Sequence, residues 1–172
     1  MQTKNQDRER LIVSMKEYFG EDQRRIDHTL QVLGYAEQIL AQENADRGVV
    51  QAAAILHDIG IPEAERKHGS SAGKYQEIEG PPIARKILEE HDLDRETIDH
   101  VCRIVANHHS ARDIDTPEFR IVWDADWLVN MAPQAQKSEP KEVEEKIERI
   151  FKTEEGKRIA YRLFIEREAG GR

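Results

Sequence analysis

Four histidines and two aspartates of this chain are set among apolar residues at helical spacing. His28 lies on the Val32, Tyr35, Ala36 and Ile39 side of its pattern, and His57-Asp58 closes the apolar run Val49–Leu56. Asp126 shares a stripe with Val122 and Val129, and His108-His109 follows Val105 at the end of another. An ionised carboxylate in such surroundings is costly to bury unless it is paired or bound to a metal. Imidazole nitrogens and carboxylate oxygens together are donors for a divalent ion: Mn, Fe, Co, Ni, Zn or Mg. The partial negative charge of a helix C-terminus adds to the attraction of a cation beside His57 and Asp58. One histidine on an apolar face is more often a packed core residue, and an HD dipeptide arises by chance. The metal reading therefore rests on the joint occurrence.

Helices must position these residues. Apolar recurrence at i+3 and i+4 predicts a helix through Leu11, Ile12, Met15 and Phe19, stopped by Gly20. A second opens near Asp22 and carries Ile26, Leu30, Leu33 and Ile39. Asp46 is the candidate cap of a third, apolar all round and so central, stopped by Gly60 and Pro62. Residues 60–80 have few apolar anchors and read as a long functional loop, with Pro81 and Pro82 in the first turn of the next helix. A helix from about Asp94 carries Ile98, Val101, Cys102 and Val105, and a polar loop at 110–117 leads to a helix over 119–131. A linker from Pro133 to Pro140 precedes helical patterns at 141–151 and 154–168. No strand pair, hairpin or repeat stands out, so the fold class is all-α. The expected organisation is a frayed 1–9, a core at 10–132, and a C-terminal helical extension at 133–172 packed on the core.

The 172 residues fit one domain, and 26 basic against 34 acidic residues give a net charge of −8. That balance disfavours a DNA or RNA surface. One cysteine excludes an internal disulfide framework and a Cys-based zinc finger. No apolar stretch approaches a membrane span and no leader opens the chain, so a cytoplasmic protein is expected.

The constellation His28, His57-Asp58, Asp126 resembles the H…HD…D pattern of the HD-domain metal-dependent phosphohydrolase superfamily. Arg25-Ile26-Asp27-His28-Thr29 resembles its Arg-x-x-His-Ser/Thr start, and Ala54-Ile55-Leu56-His57-Asp58-Ile59-Gly60 its A-x-L-H-D-I-G segment. Trp123-Asp124-Ala125-Asp126-Trp127-Leu128 resembles D-A-D-[RK]-L, whose second Asp is the ligand. Lys152–Ala160 is similar to a C-terminal segment of small bacterial members. The resemblance implies a compact helical bundle with a divalent metal ion at its centre, held by His28, His57, Asp58 and Asp126. Two-metal members carry a further His where this chain has Tyr75–Gly80. One ion is thus the main expectation and two the alternative, with Glu77, Glu79 or His68 as substitute ligands. Trp127 stands where the family usually has a cation.

The implied activity is cleavage of a phosphate ester of a nucleotide or other small phosphorylated metabolite by a metal-activated water. Asp58, His108 and His109 are the candidate catalytic groups, the histidines for proton transfer. Arg25, Lys67 and Lys74 are the candidate phosphate contacts, with Arg24 and Arg112 as basic neighbours. The alternatives are an HD-type di-iron oxygenase and a non-catalytic metal- or nucleotide-binding regulator. Which of His108 and His109 faces the site, and the oligomeric state, stay open.

Overall fold

The computed structural model describes residues 2–166, with side chains from residue 6 onward. Nine α-helices occur among the described residues: α1 (Gln2–Phe19), α2 (Gln23–Leu40), α3 (Arg47–Leu56), α4 (Ile61–His68), α5 (Gly73–Glu90), α6 (Arg95–Val105), α7 (Pro117–Ala135), α8 (Pro140–Ile150) and α9 (Glu154–Phe164). The all-α reading holds, with no strand among these residues. No helix among them is long and apolar enough to cross a membrane.

Local chemistry sets several of the boundaries. The side chains of Asp22, Asp46, Asp94, Thr116 and Thr153 each accept a backbone N–H three residues on, satisfying donors that a helix start leaves open. Every residue of α3 from Val49 to Leu56 is buried, and α3 packs against α1, α2, α6 and α7. It is the central rod of the bundle, so whatever ends it is delivered to the interior. The residues that end it are His57 and Asp58. Helices α8 and α9 lie against α7, and Cys102 is a buried free thiol in α6, packed as a small core residue.

Four sequence expectations need correction. The stretch before Leu11 is helical from Gln2, with Arg8 bonded to Glu37 of α2 at 2.6 Å. Residues 60–80 are not one loop: they form α4 and the first half of α5, separated only by residues 69–72. Hydropathy hides both helices. Ala64 is the one buried residue of α4, and the buried face of α5 begins with Gln76, Glu79 and Gly80. The glycines there serve close packing: a Cβ on Gly60 would lie 2.6 Å from the Gly80 backbone nitrogen and 2.7 Å from the Gln76 carbonyl. Pro81 and Pro82 consequently sit inside α5, where they remove two ladder bonds, rather than in a first turn. Pro133 likewise lies inside α7, which runs on to Ala135, so the linker is shorter than expected. The expected end of the last helix at 168 lies outside the described residues; its described part ends at Phe164.

Candidate metal centre

Helices α2, α3 and α7, with the turn after α6, bring the predicted residues together. His28 Nε2 stands 3.1 Å from Asp126 Oδ1 and 3.3 Å from Asp58 Oδ2. His57 Nε2 stands 3.4 Å from Asp58 Oδ2 and 3.5 Å from Asp126 Oδ1. Donors about 2.0–2.2 Å from one ion stand roughly 3.0–3.5 Å apart along the edges of its coordination shell. Donor atoms of His28, His57 and Asp58 lie within 4.8 Å of one another, and Asp126 Oδ1 stands beside both histidines, so these side chains could hold one divalent ion.

The imidazoles are prepared for that role. His57 Nδ1 lies 2.8 Å from the Ala54 carbonyl and His108 Nδ1 2.7 Å from the Val105 carbonyl, so each ring donates its Nδ1–H there and turns Nε2 inward. Both Nε2 atoms are buried and have no hydrogen-bond partner. A buried polar atom without a partner is a penalty unless something fills the place. A cation is what lone pairs and carboxylates would jointly accept. Without one, the carboxylates take over. Burial alone would lower the His57 pKa, but Asp58 and Asp126 outweigh it and hold that pKa well above the ordinary range. Burial would raise both aspartates, yet His57 and His108 hold Asp58 low, and His28 and His57 hold Asp126 low.

Asp58 also faces a second donor group. His108 Nε2 is 3.4 Å from Asp58 Oδ1, and donor atoms of Asp58, His108 and His109 all lie within 4.8 Å of one another. Both histidines therefore turn toward the site. His109 differs from His108 in having a partner, since its Nε2 donates to Gln76 Oε1 at 3.1 Å. The Gln76 amide is oriented by its own donation to the Ser71 carbonyl at 2.7 Å. Burial, reinforced by His108, lowers the His109 pKa, so this ring is neutral.

The substitute ligands do not join this cluster. Glu77 accepts the backbone N–H groups of His109 and Ser110. Glu79 accepts from Lys67 at 2.7 Å and from His68 at 2.9 Å, and His68 stacks on Tyr75. All three are satisfied elsewhere. Lys67 and Lys74 are also outside the cavity that opens onto the site: Lys67 pairs with Glu63 and Glu79, and Lys74 sits over the Tyr75 ring. Neighbouring acids hold Lys67, and the Tyr75 face holds Lys74, away from that cavity.

That cavity, of about 330 Å³, is lined by Arg24, Arg25, His28, Asp58, Ile61, Glu65, Ser71, Gln76, His109, Asp126 and Asn130. Arg25 does reach it, bridging Asp22 and Glu65. Arg24, exposed on the same wall, makes no ion pair among the described residues. Among the lining residues that escaped the sequence reading, Asn130 and Gln76 hold site groups. Asn130 donates to Asp126 Oδ1 at 2.8 Å, and its place one turn after Asp126 was a legible signal. Gln76 carried no signal, since nothing in the local pattern shows that it is buried.

The chain matches the model of the HD domain over residues 25–131. No curated protein matches it. Among solved structures it is similar to a predicted HD superfamily hydrolase from an uncultured Thermotogales bacterium. That similarity has 23% identity and a TM-score of 0.68, and covers 92% of this chain and 86% of the other. It is also similar to an HD-superfamily hydrolase from Bacillus thuringiensis, with 20% identity, a TM-score of 0.69, and coverage of 96% and 94%. With the family model spanning most of the chain and its H…HD…D residues converging on one point, the chain belongs to the HD domain family.

Proposed function

We propose that this protein is a metal-dependent phosphohydrolase acting on a phosphate ester of a nucleotide or other small phosphorylated metabolite. The observation that carries the reading is the buried, partnerless Nε2 of His57, aimed with His28 at Asp58 and Asp126 on the floor of a cavity with arginines on its wall. His28, His57, Asp58 and Asp126 would hold the ion. When bound there, a divalent ion supplies a water of lowered pKa and polarises a phosphoryl oxygen.

The chain's own residues have distinct tasks. Asn130 fixes the Asp126 carboxylate, and the Ala54 carbonyl fixes the His57 ring. Arg24, without an ion pair among the described residues, is the cation left to meet the phosphate, while Arg25 is held on the wall by Asp22 and Glu65. His109, a neutral ring with its Nε2–H held by Gln76, is placed to donate a hydrogen bond to an oxygen of a bound phosphate.

The test combines metal counting on protein purified without chelators with turnover of nucleotides, cyclic dinucleotides and simple phosphate esters under Mn, Co or Ni. Turnover that disappears in His57→Ala is expected. A protein that binds metal and turns over none of them points instead to a binding regulator. The Asp58, His108 and His109 donors favour a second reading with two ions. Two irons per chain with an optical band would favour oxidation over hydrolysis.

A further inference from the structure

The mechanism leaves the most deeply buried acid unused. Asp124 is fully buried in the middle of α7, two residues before Asp126. At 3.6 residues per turn the two point about 200° apart around the helix. Asp126 faces the histidines, and Asp124 faces the turn between α8 and α9. There its carboxylate accepts the backbone N–H groups of Lys152 and Thr153, both at 2.8 Å, and the Thr153 hydroxyl at 2.7 Å. Next to it, Trp123 Nε1 donates to the Ile150 carbonyl at 3.1 Å, and Lys152 Nζ lies 5.0 Å over the Trp123 ring. Thr153 is also the cap of α9, and its hydroxyl accepts the Gly156 N–H at 2.9 Å. A Cβ on Gly156 would lie 2.7 Å from that hydroxyl oxygen, so only glycine lets α9 start this close.

An apolar plug would dock α9 on α7 without the desolvation penalty of a buried carboxylate. Three aimed donors do something a plug does not: they fix the rotation and axial position of α7. Any rotation of α7 that loosens them also swings Asp126 away from His28 and His57. We infer that Asp124, clasped by Lys152 and Thr153, is a positioning residue for the metal centre, through which the C-terminal extension sets the ligand geometry of Asp126. The inference rests on the reading of Asp126 as a ligand.

The experiment measures Mn2+ affinity on full-length protein by the loss of free Mn2+ signal in spectroscopic titration, with melting temperatures alongside. Thr153→Val keeps the shape and the two backbone donors but loses the hydroxyl. It is expected to bind Mn2+ about tenfold more weakly, the low end of what lost support around a ligand does. Thr153→Ser restores the affinity. Val143→Ala, a buried truncation in α8 that does not touch Asp124, lowers the melting temperature and leaves the affinity unchanged. The inference is overturned if Thr153→Val binds like the unaltered protein, or if Val143→Ala weakens binding as much. Absence of Mn2+ binding in the unaltered protein, or unchanged binding in Asp126→Ala, brings down the ligand reading and the inference with it. Equal binding by the unaltered protein and Thr153→Val brings down the inference alone.

Discussion

Beside α2, two further walls line the cavity, and they are built on opposite plans. One, from α3 and α7, places His57, Asp58 and Asp126 at the end or in the middle of strongly apolar helices. The other, from α4 and α5 and the turn between them, places Glu65 and Gln76 on helices whose buried faces are themselves polar or small, with Ser71 in the turn. On the first wall, lone pairs face inward without partners; on the second, Glu77 and Glu79 are already satisfied by backbone and basic groups. A polar residue is conspicuous only against an apolar background. The same contrast decides chemistry, because an unsatisfied donor set attracts an ion and a satisfied one does not.

The largest expected effect tests that contrast directly. His57→Ala should abolish metal binding and, in the metal-free protein, lower stability by about 3–5 kcal/mol, because it removes a buried cationic partner that Asp58 and Asp126 share. Glu79→Ala should leave metal content unchanged. Metal analysis and denaturant melts decide both, and metal loss in Glu79→Ala would merge the two walls into one site. A smaller effect probes the second wall's packing. Gly60→Ala drives a methyl group into the α5 backbone and should cost about 1–3 kcal/mol in urea unfolding. Gly34→Ala, with open space around it in α2, should stabilise by up to about 1 kcal/mol.

Metal removal should reveal the charge state of the first wall. Asp58 and Asp126 are held below their ordinary pKa, so their contribution to the metal-free fold is present above about pH 4 and lost as pH falls through the folded values. His57 is held above its ordinary value, so its contribution is present below about pH 6.5 and lost as pH rises through the folded value. Metal binding requires the opposite state of His57. The rise in melting temperature on adding Mn2+ should therefore grow with pH above about 6.5. A rise that is flat from acid to alkaline buffer contradicts this. The smallest effect separates the cations: Arg24→Ala should raise KM for a phosphate ester roughly fivefold, on the order of 1 kcal/mol, with Lys67→Ala near unity in steady-state kinetics. A larger effect at Lys67 would return that residue to the site.

Much of the fold was legible where burial is uniform. α2, α3, α6 and the middle of α7 follow from apolar recurrence, and the cap Asp46 from side-chain chemistry. The helices over 61–80 were not, because charge pairs, a glycine contact and buried amides build them in place of an apolar stripe. Prolines misled for the same reason: Pro81 and Pro82 read as the start of a helix and Pro133 as the start of a linker, and here tertiary packing carries the helix through them.

What the residue types and spacing determined by themselves is the donor set. Two histidines and two aspartates sit on helix faces that must turn inward, because their neighbours Val32, Leu56 and Val122 cannot face water. The tertiary structure alone decided which other groups meet them. Whether a lysine reaches a phosphate or a glutamate, whether Glu77 meets an ion or a backbone amide, and which face of α7 the C-terminal turn grips all depend on contacts between residues far apart in the chain. Short-range periodicity carries no information about those contacts, because the free energy that selects them is released only when the helices pack.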